Sequence, residues 1–189
     1  MALTILSVTT MGFIASFLQS RRMSESSVLH AAASSLVYGI VEQIKSLEYS
    51  TALPSRENDV NPDNPDIIWG EAPFVRVRLN QDESAWLRVV YTGPEATPRG
   101  PTTTPAPGVT PSGAISNVLD SLPLSTVAGA TSQELALTVW VWIDELAPAG
   151  NDATEVKKVT VIYTYPFMDG RRRRVVVDRE VFIRTRFDQ

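Results

Sequence analysis

His30 is the chain's single histidine, standing between Leu29 and Ala31, and there is no cysteine to join it. An imidazole works as general base or metal ligand only in company, with a nucleophile and carboxylate or with further ligands. Serines are plentiful, but a Ser-His-Asp triad would have to recruit this one histidine, so a structural or exposed role is expected. Asp144, Glu145 and Asp152 offer oxygen ligands suited to calcium, yet their spacing matches no calcium-binding loop. Arg171–Arg174 is the densest charge run. It reads as a patch for phosphate, acidic lipid or an acidic partner, or as a solvated hairpin tip that discourages wrong strand pairing. Side chains alternate faces along a strand, so about half of the run can share one patch, and the solvated tip is the expectation. Trp140 and Trp142 share a strand face, which suits a ligand platform, a protein contact or packing against a helix. No catalytic, cofactor-binding or metal-ligating set emerges, and neither a cofactor nor an enzymatic activity is expected.

Composition narrows the classes further. At 189 residues the chain suits one domain with appendages. A net charge of −4 and a pI near 5.1 give no electrostatic reason to expect nucleic acid as a partner. The absence of cysteine removes disulfides and thiolate chemistry, and it fits a reducing or an oxidising compartment equally well.

The elements that would carry these residues begin with a helix. From Met1 to Leu18 there is no charged side chain, and Arg21-Arg22 follows. Eighteen helical residues rise roughly 27 Å, just short of a hydrocarbon core of about 30 Å. Leu3, Ile5, Leu6, Val8, Phe13, Ile14, Phe17 and Leu18 leave almost no polar face, which points to a membrane anchor; a cleaved signal and a core helix are the competing readings. Thr9, Thr10 and Gly12 are tolerable in a membrane helix. Beyond Ser24 the residues Leu29, Ala33, Leu36, Ile40, Ile44 and Leu47 recur at helical spacing as one apolar stripe, the face expected on a sheet. Glu42 and Lys45 lie off that stripe and can pair, and Pro54 ends the helix.

The remainder reads as β structure. Phe74–Leu79 and Trp86–Tyr91 alternate at period two around a turn at Asn80–Glu83. Gly93–Gly113 holds six prolines and is expected to be an extended, exposed linker or long loop. Ile115–Gln133 is ambiguous between a short helix and cover for a sheet edge. Leu135, Leu137, Val139, Val141 and Ile143 share one strand face. Val156–Tyr165 and Val175–Ile183 flank Asp169-Gly170, with Val159, Val161 and Tyr163 expected on the same side as Val175, Val177, Val181 and Ile183. The fold class is therefore α+β, a long N-terminal helix packed on a small antiparallel β-sheet. Its segments are residues 1–22 as apolar anchor, 23–50 as amphipathic continuation, 51–92 as loop and hairpin, 93–133 as Pro/Thr-rich loop with a small-residue segment, and 134–189 as C-terminal strands.

Three stretches carry a family likeness: Ala2-Leu3-Thr4-Ile5-Leu6-Ser7-Val8, the helix from Leu36 to Lys45, and Val159-Thr160-Val161 with Asp169-Gly170-Arg171. With them the chain resembles the type IV pilin-like proteins, which include minor pilins and the pseudopilins of type II secretion. The likeness covers the first fifty or so residues well and the C-terminal strands loosely. It implies a pilin-like fold and a non-enzymatic subunit of a pilus-like or type II secretion pseudopilus filament. The implied partners are other pilin-like subunits, the inner-membrane assembly platform and inner-membrane lipid. A membrane-anchored periplasmic binding or scaffold domain that does not polymerise is the alternative. The implied location is the inner membrane, single-pass, with the C-terminal domain in the periplasm or on an extracellular filament. Arg21-Arg22, by the positive-inside tendency alone, would place that domain in the cytoplasm. Family members carry a basic leader ending in glycine and then a glutamate five residues into the mature chain; neither precedes Ala2, and a start upstream of Met1 is expected.

Overall fold

A stretch without proline from Met1 to Leu53 lets one helix propagate, and the computed structural model contains it as α1, Ala2–Ser46. The structure describes residues 2–47, 67–68, 74–79, 84–92, 99–123, 134–146, 156–169 and 172–185. The expected turn at Asn80–Glu83 and residues 124–133 of the segment Ile115–Gln133 lie outside them, as does the loop expected over Arg56–Ala72 apart from Ile67–Ile68, which are strand. The strands are β1 (Ile67–Ile68), β2 (Phe74–Arg78), β3 (Ser84–Thr92), β4 (Asn117–Pro123), β5 (Glu134–Glu145), β6 (Val156–Asp169) and β7 (Arg172–Thr185). At 45 residues α1 is about 68 Å long, several times the usual globular helix, and only its second half meets the sheet.

That second half forms one layer of the core. Ala33, Val37, Ile40, Val41 and Ile44 are buried, with Leu29, Leu36 and Leu47 partly buried at the margin. They pack on Val75 and Val77 of β2, on Leu135, Leu137, Val139, Val141 and Ile143 of β5, and on Val159, Val161, Tyr163 and Tyr165 of β6. The aliphatic face of β5 is thus the helix face, and Trp140 and Trp142 point the other way. Glu42 and Lys45 pair at 2.9 Å on the exposed side of the helix.

The sheet runs β1-β2-β3-β5-β6-β7, and β4 lies along the first half of β5 on the edge that β3 takes over for the second half. It is mixed rather than antiparallel, because β3 and β5 run in the same direction from Val89↔Val141 to Thr92↔Asp144. The long crossover between them, through the Pro-rich segment and β4, is what a parallel pair requires.

The β6–β7 hairpin also corrects the expected register. Asp169 pairs with Arg172, so the ribbon continues straight through Pro166 and Phe167 to a two-residue connection. Val159 then sits opposite Phe182, Tyr163 opposite Asp178, and Tyr165 opposite Val176. Val175, Val177, Val181 and Ile183 consequently occupy the face away from the helix. A connection one residue longer or shorter would exchange the faces of all of β7.

The described part of the Pro-rich segment, residues 99–113, is the long, largely exposed loop of the two expected forms, and it is folded by turns rather than extended. Val109 N–H donates to Ala106 O at 3.1 Å with Gly108 at φ 80°, and Ala114 N–H donates to Pro111 O at 3.2 Å with Gly113 at φ 71°. A hydrogen bond of this span with positive φ at the third residue is the signature of a type II turn. Ala114 packs against Trp140, Trp142 and Ile162, and Trp140 Nε1 donates to Ser116 Oγ at 2.9 Å.

Two amide side chains complete backbone pairing where strands run out. Asn117 Oδ1 accepts from Arg88 N–H at 2.6 Å, while its Nδ2 donates to Arg88 O and Val139 O, each at 3.0 Å. It thereby joins β3, β4 and β5 at the point where β5 changes partner. Gln43 does the same from α1, accepting from Arg78 N–H at 2.6 Å and donating to Arg78 O at 2.8 Å. Truncating Asn117 would strand buried backbone groups, each worth about 1–3 kcal/mol. Asn117→Ala is expected to lower unfolding free energy in urea by about 2–3 kcal/mol, against under about 0.5 kcal/mol for the exposed Ser112→Ala.

Candidate functional site

The first half of α1 leaves the sheet behind and carries its apolar side chains into solvent. Leu3 is 80 % exposed, Ile5 65 %, Leu6 63 %, Val8 70 %, Phe13 74 %, Ile14 52 %, Phe17 64 % and Leu18 46 %, and Met11 is exposed as well. Scattered exposed leucines are ordinary, but so many large apolar side chains exposed along one projecting half-helix make it a candidate interaction surface. Two hydroxyls within it bond back to the helix: Thr9 Oγ1 donates to Ile5 O and Leu6 O at 3.0 and 2.9 Å, and Thr10 Oγ1 to Leu6 O at 2.7 Å. Such back-bonding removes the need for water, as an apolar medium demands. No helix among the described residues is long and apolar enough to cross a membrane. The uncharged stretch Leu3–Leu18 rises about 24 Å, less than the ~30 Å hydrocarbon core.

Where the helix meets the domain edge, a polar seam sets its position along β6. His30 Nδ1 lies 2.8 Å from Tyr165 Oη, and Ser34 Oγ lies 3.4 Å from Tyr163 Oη. Tyr163 Oη also donates to Asp178 Oδ2 at 3.3 Å. Burial pushes both phenols above their ordinary range, and Asp178 adds to the effect. A serine, the histidine and an aspartate thus come into one seam, but no hydrogen bond among the described residues joins Ser34 or Asp178 to the imidazole. What these contacts do is set the helix in place along β6. Below it an open groove of about 680 Å³ runs between α1 and the hairpin, lined by Gln19, Arg22, Met23, Ser26, Ser27 and Phe167 among others.

The second polar centre is Asp144, wholly buried on the loop face of the sheet. Thr92, its cross-strand neighbour on β3, donates to Oδ1, and Lys158, its neighbour on β6, lies 2.9 Å from Oδ2. Gly100 N–H donates to Oδ1 and Oδ2 at 3.0 and 3.1 Å. A Cβ on Gly100 would stand 3.0 Å from both Asp144 Oδ2 and Trp142 Cβ, so any larger residue would have to push these neighbours back. Arg179 Nη1 donates to Pro101 O at 3.0 Å on the same face. Burial opposes the charge on Asp144, but the hydrogen bonds from Thr92, Gly100 and Lys158 outweigh it and hold the carboxyl below its usual value. Glu145, the next residue, turns to the opposite face and accepts from Tyr91 Oη, so the two acids do not converge on a common ion. Asp152 lies outside the described residues, and no group of His, Asp and Glu suited to a metal ion occurs among those described.

Residues legible in advance thus divide into two sets. The apolar run and the sheet-facing stripe stand on the two halves of α1, and Arg172, Arg173 and Arg174 are exposed at the hairpin tip. Asn117, Gln43, Gly100 and Arg179 gave no advance signal, being common polar or small residues whose partners are distant in sequence. Comparison with protein-family models, curated proteins and solved structures finds no match.

Because the folded pKa of Asp144 is lowered, its stabilisation is present above the unfolded value of about 3.8 and is lost as pH falls through the folded value. Asp144→Asn is expected to cost about 2–4 kcal/mol at neutral pH and to flatten that acid limb. Urea denaturation followed by tryptophan fluorescence from pH 7 down to about pH 2.5 measures both.

Proposed function

We propose that this chain is a non-enzymatic subunit of a type IV pilus-like or type II secretion-like filament, stored in a bacterial inner membrane before assembly. The observation that supports this reading is the division of α1 into a half that belongs to the domain core and a half whose large apolar side chains are exposed. In the membrane that sleeve faces acyl chains; in a filament it packs on the same sleeve of neighbouring subunits. The uncharged stretch is somewhat short for the hydrocarbon core, and local thinning of the bilayer or helix association absorbs a mismatch of this size.

The energetics define what assembly requires. Removing apolar area from water is worth about 25 cal/mol per Å², and lipid has already supplied that stabilisation before a subunit joins its neighbours. Transfer from lipid to a helix bundle is therefore nearly neutral in hydrophobic terms. Close packing, specific pairing and an external motor must drive it. The domain contributes by holding α1 rigidly, through the His30–Tyr165 and Ser34–Tyr163 contacts and the core beneath them.

The chain has no cysteine, so single introduced thiols report neighbours directly. Phe13→Cys and Phe17→Cys are expected to give discrete oxidative adducts with sister subunits, and Val109→Cys on the covering loop none. Adducts of equal yield at every position around the sleeve would instead indicate an anchored domain that does not polymerise. Ile14→Arg, at a cost of about 2.5–3.5 kcal/mol near a bilayer centre, is expected to move the protein from membrane to soluble fractions. Unchanged partition would refute the anchor.

A further inference from the structure

The β6–β7 hairpin and α1 run side by side in a register that can be followed residue by residue. Tyr163 meets Ser34, Tyr165 meets His30, and Phe167 shares the groove with Arg22, Met23, Ser26 and Ser27. Each step of two strand residues advances about 6.6 Å and each step of four helix residues about 6 Å, so the two ladders keep pace. Extending both by one step brings the closing pair Asp169–Arg172 level with Arg22. Arg22 stands four residues past Leu18, where the apolar run ends, a rise of about 6 Å. That is the depth of the headgroup layer beyond a hydrocarbon edge.

We infer that Arg172 and Arg173 at the hairpin tip, together with Arg22 of α1, form a basic collar that seats the domain on anionic phospholipid headgroups. The inference rests on the membrane reading of α1 and adds the surface that meets the bilayer. Arg172 and Arg173 lie on opposite faces of the ribbon, but a plane normal to the helix meets both faces of a hairpin at its tip. Arg21 is already engaged by Glu25 at 2.9 Å and is left out. By sequence alone the segment 169–174 carries four arginines against one aspartate, in a chain whose net charge is −4. Arginines held near a surface are attracted to anionic lipid within about a Debye length, which makes the contact sensitive to lipid charge and to salt. The collar would fix the tilt of the domain over the membrane, holding the helix upright for extraction.

The test places the full chain in vesicles of phosphatidylcholine and in vesicles of phosphatidylcholine and phosphatidylglycerol in equal parts. A fluorophore on Val175→Cys, read against a headgroup nitroxide, is expected to be quenched about twofold more in the mixed vesicles. R172E/R173E and about 0.5 M salt on the unaltered tip should each remove the difference. A fluorophore on Phe13→Cys, read against an acyl-chain nitroxide, should be quenched in both lipids and by the same amount in R172E/R173E. Equal quenching at Val175 in the two lipids, with Phe13 still in the acyl layer, overturns the collar and leaves the arginines to an acidic protein surface. An unquenched Phe13 overturns the anchor itself.

Discussion

Apolar surface must leave water, and α1 meets that demand within the molecule along only half of its length. From Leu29 to Leu47 the helix is a layer of the core, closed against β2, β5 and β6. From Leu3 to Leu18 the same rod leaves large apolar side chains exposed. The continuity of the helix converts this into a mechanical fact: whatever covers the first half is coupled rigidly to the domain that buries the second. Helices isolated in water are marginal, so the projecting half would be stabilised by anything that covers it.

The domain is arranged to keep that rod in one place. The polar seam along β6 fixes the helix lengthwise through two tyrosines, and Gln43 fixes its far end by completing the pairing of Arg78. Arg184 Nη1 donates to Ile44 O at 3.2 Å, meeting a carbonyl at the helix C-terminus where the backbone leaves orphans and cations are favoured. On the opposite face Asp144 fastens the Pro-rich cover over Trp140 and Trp142. A sheet with helix on one side and folded loop on the other needs no second sheet.

Some of this was plain in the residue order. The uncharged run, the helical stripe and the period-two alternation of β5 are local patterns, and local patterns report which face of an element is apolar. They do not report what lies opposite. The stripe residues Leu29, Leu36 and Leu47 prove marginal, while Val37 and Val41 are buried, because the face that the sheet covers is rotated about the helix axis from the stripe. Composition pointed to a long exposed loop over residues 99–113 but not to its anchoring on the sheet. Their prolines suggest extension, but a few strong polar contacts to Asp144, Arg179 and Trp140 and two glycine turns hold the segment down.

That a long helix of two characters precedes a β domain follows from residue order alone, since proline placement and side-chain period act within a few residues. The direction of β3 against β5, the face of each valine on β7 and the level at which the hairpin tip meets α1 are properties of the folded molecule. Those depend on connection lengths and on partners such as Asn117–Arg88 and His30–Tyr165, distant in the chain and adjacent only once it has folded. The residues that hold the site in place are chosen by geometry, and geometry is not periodic.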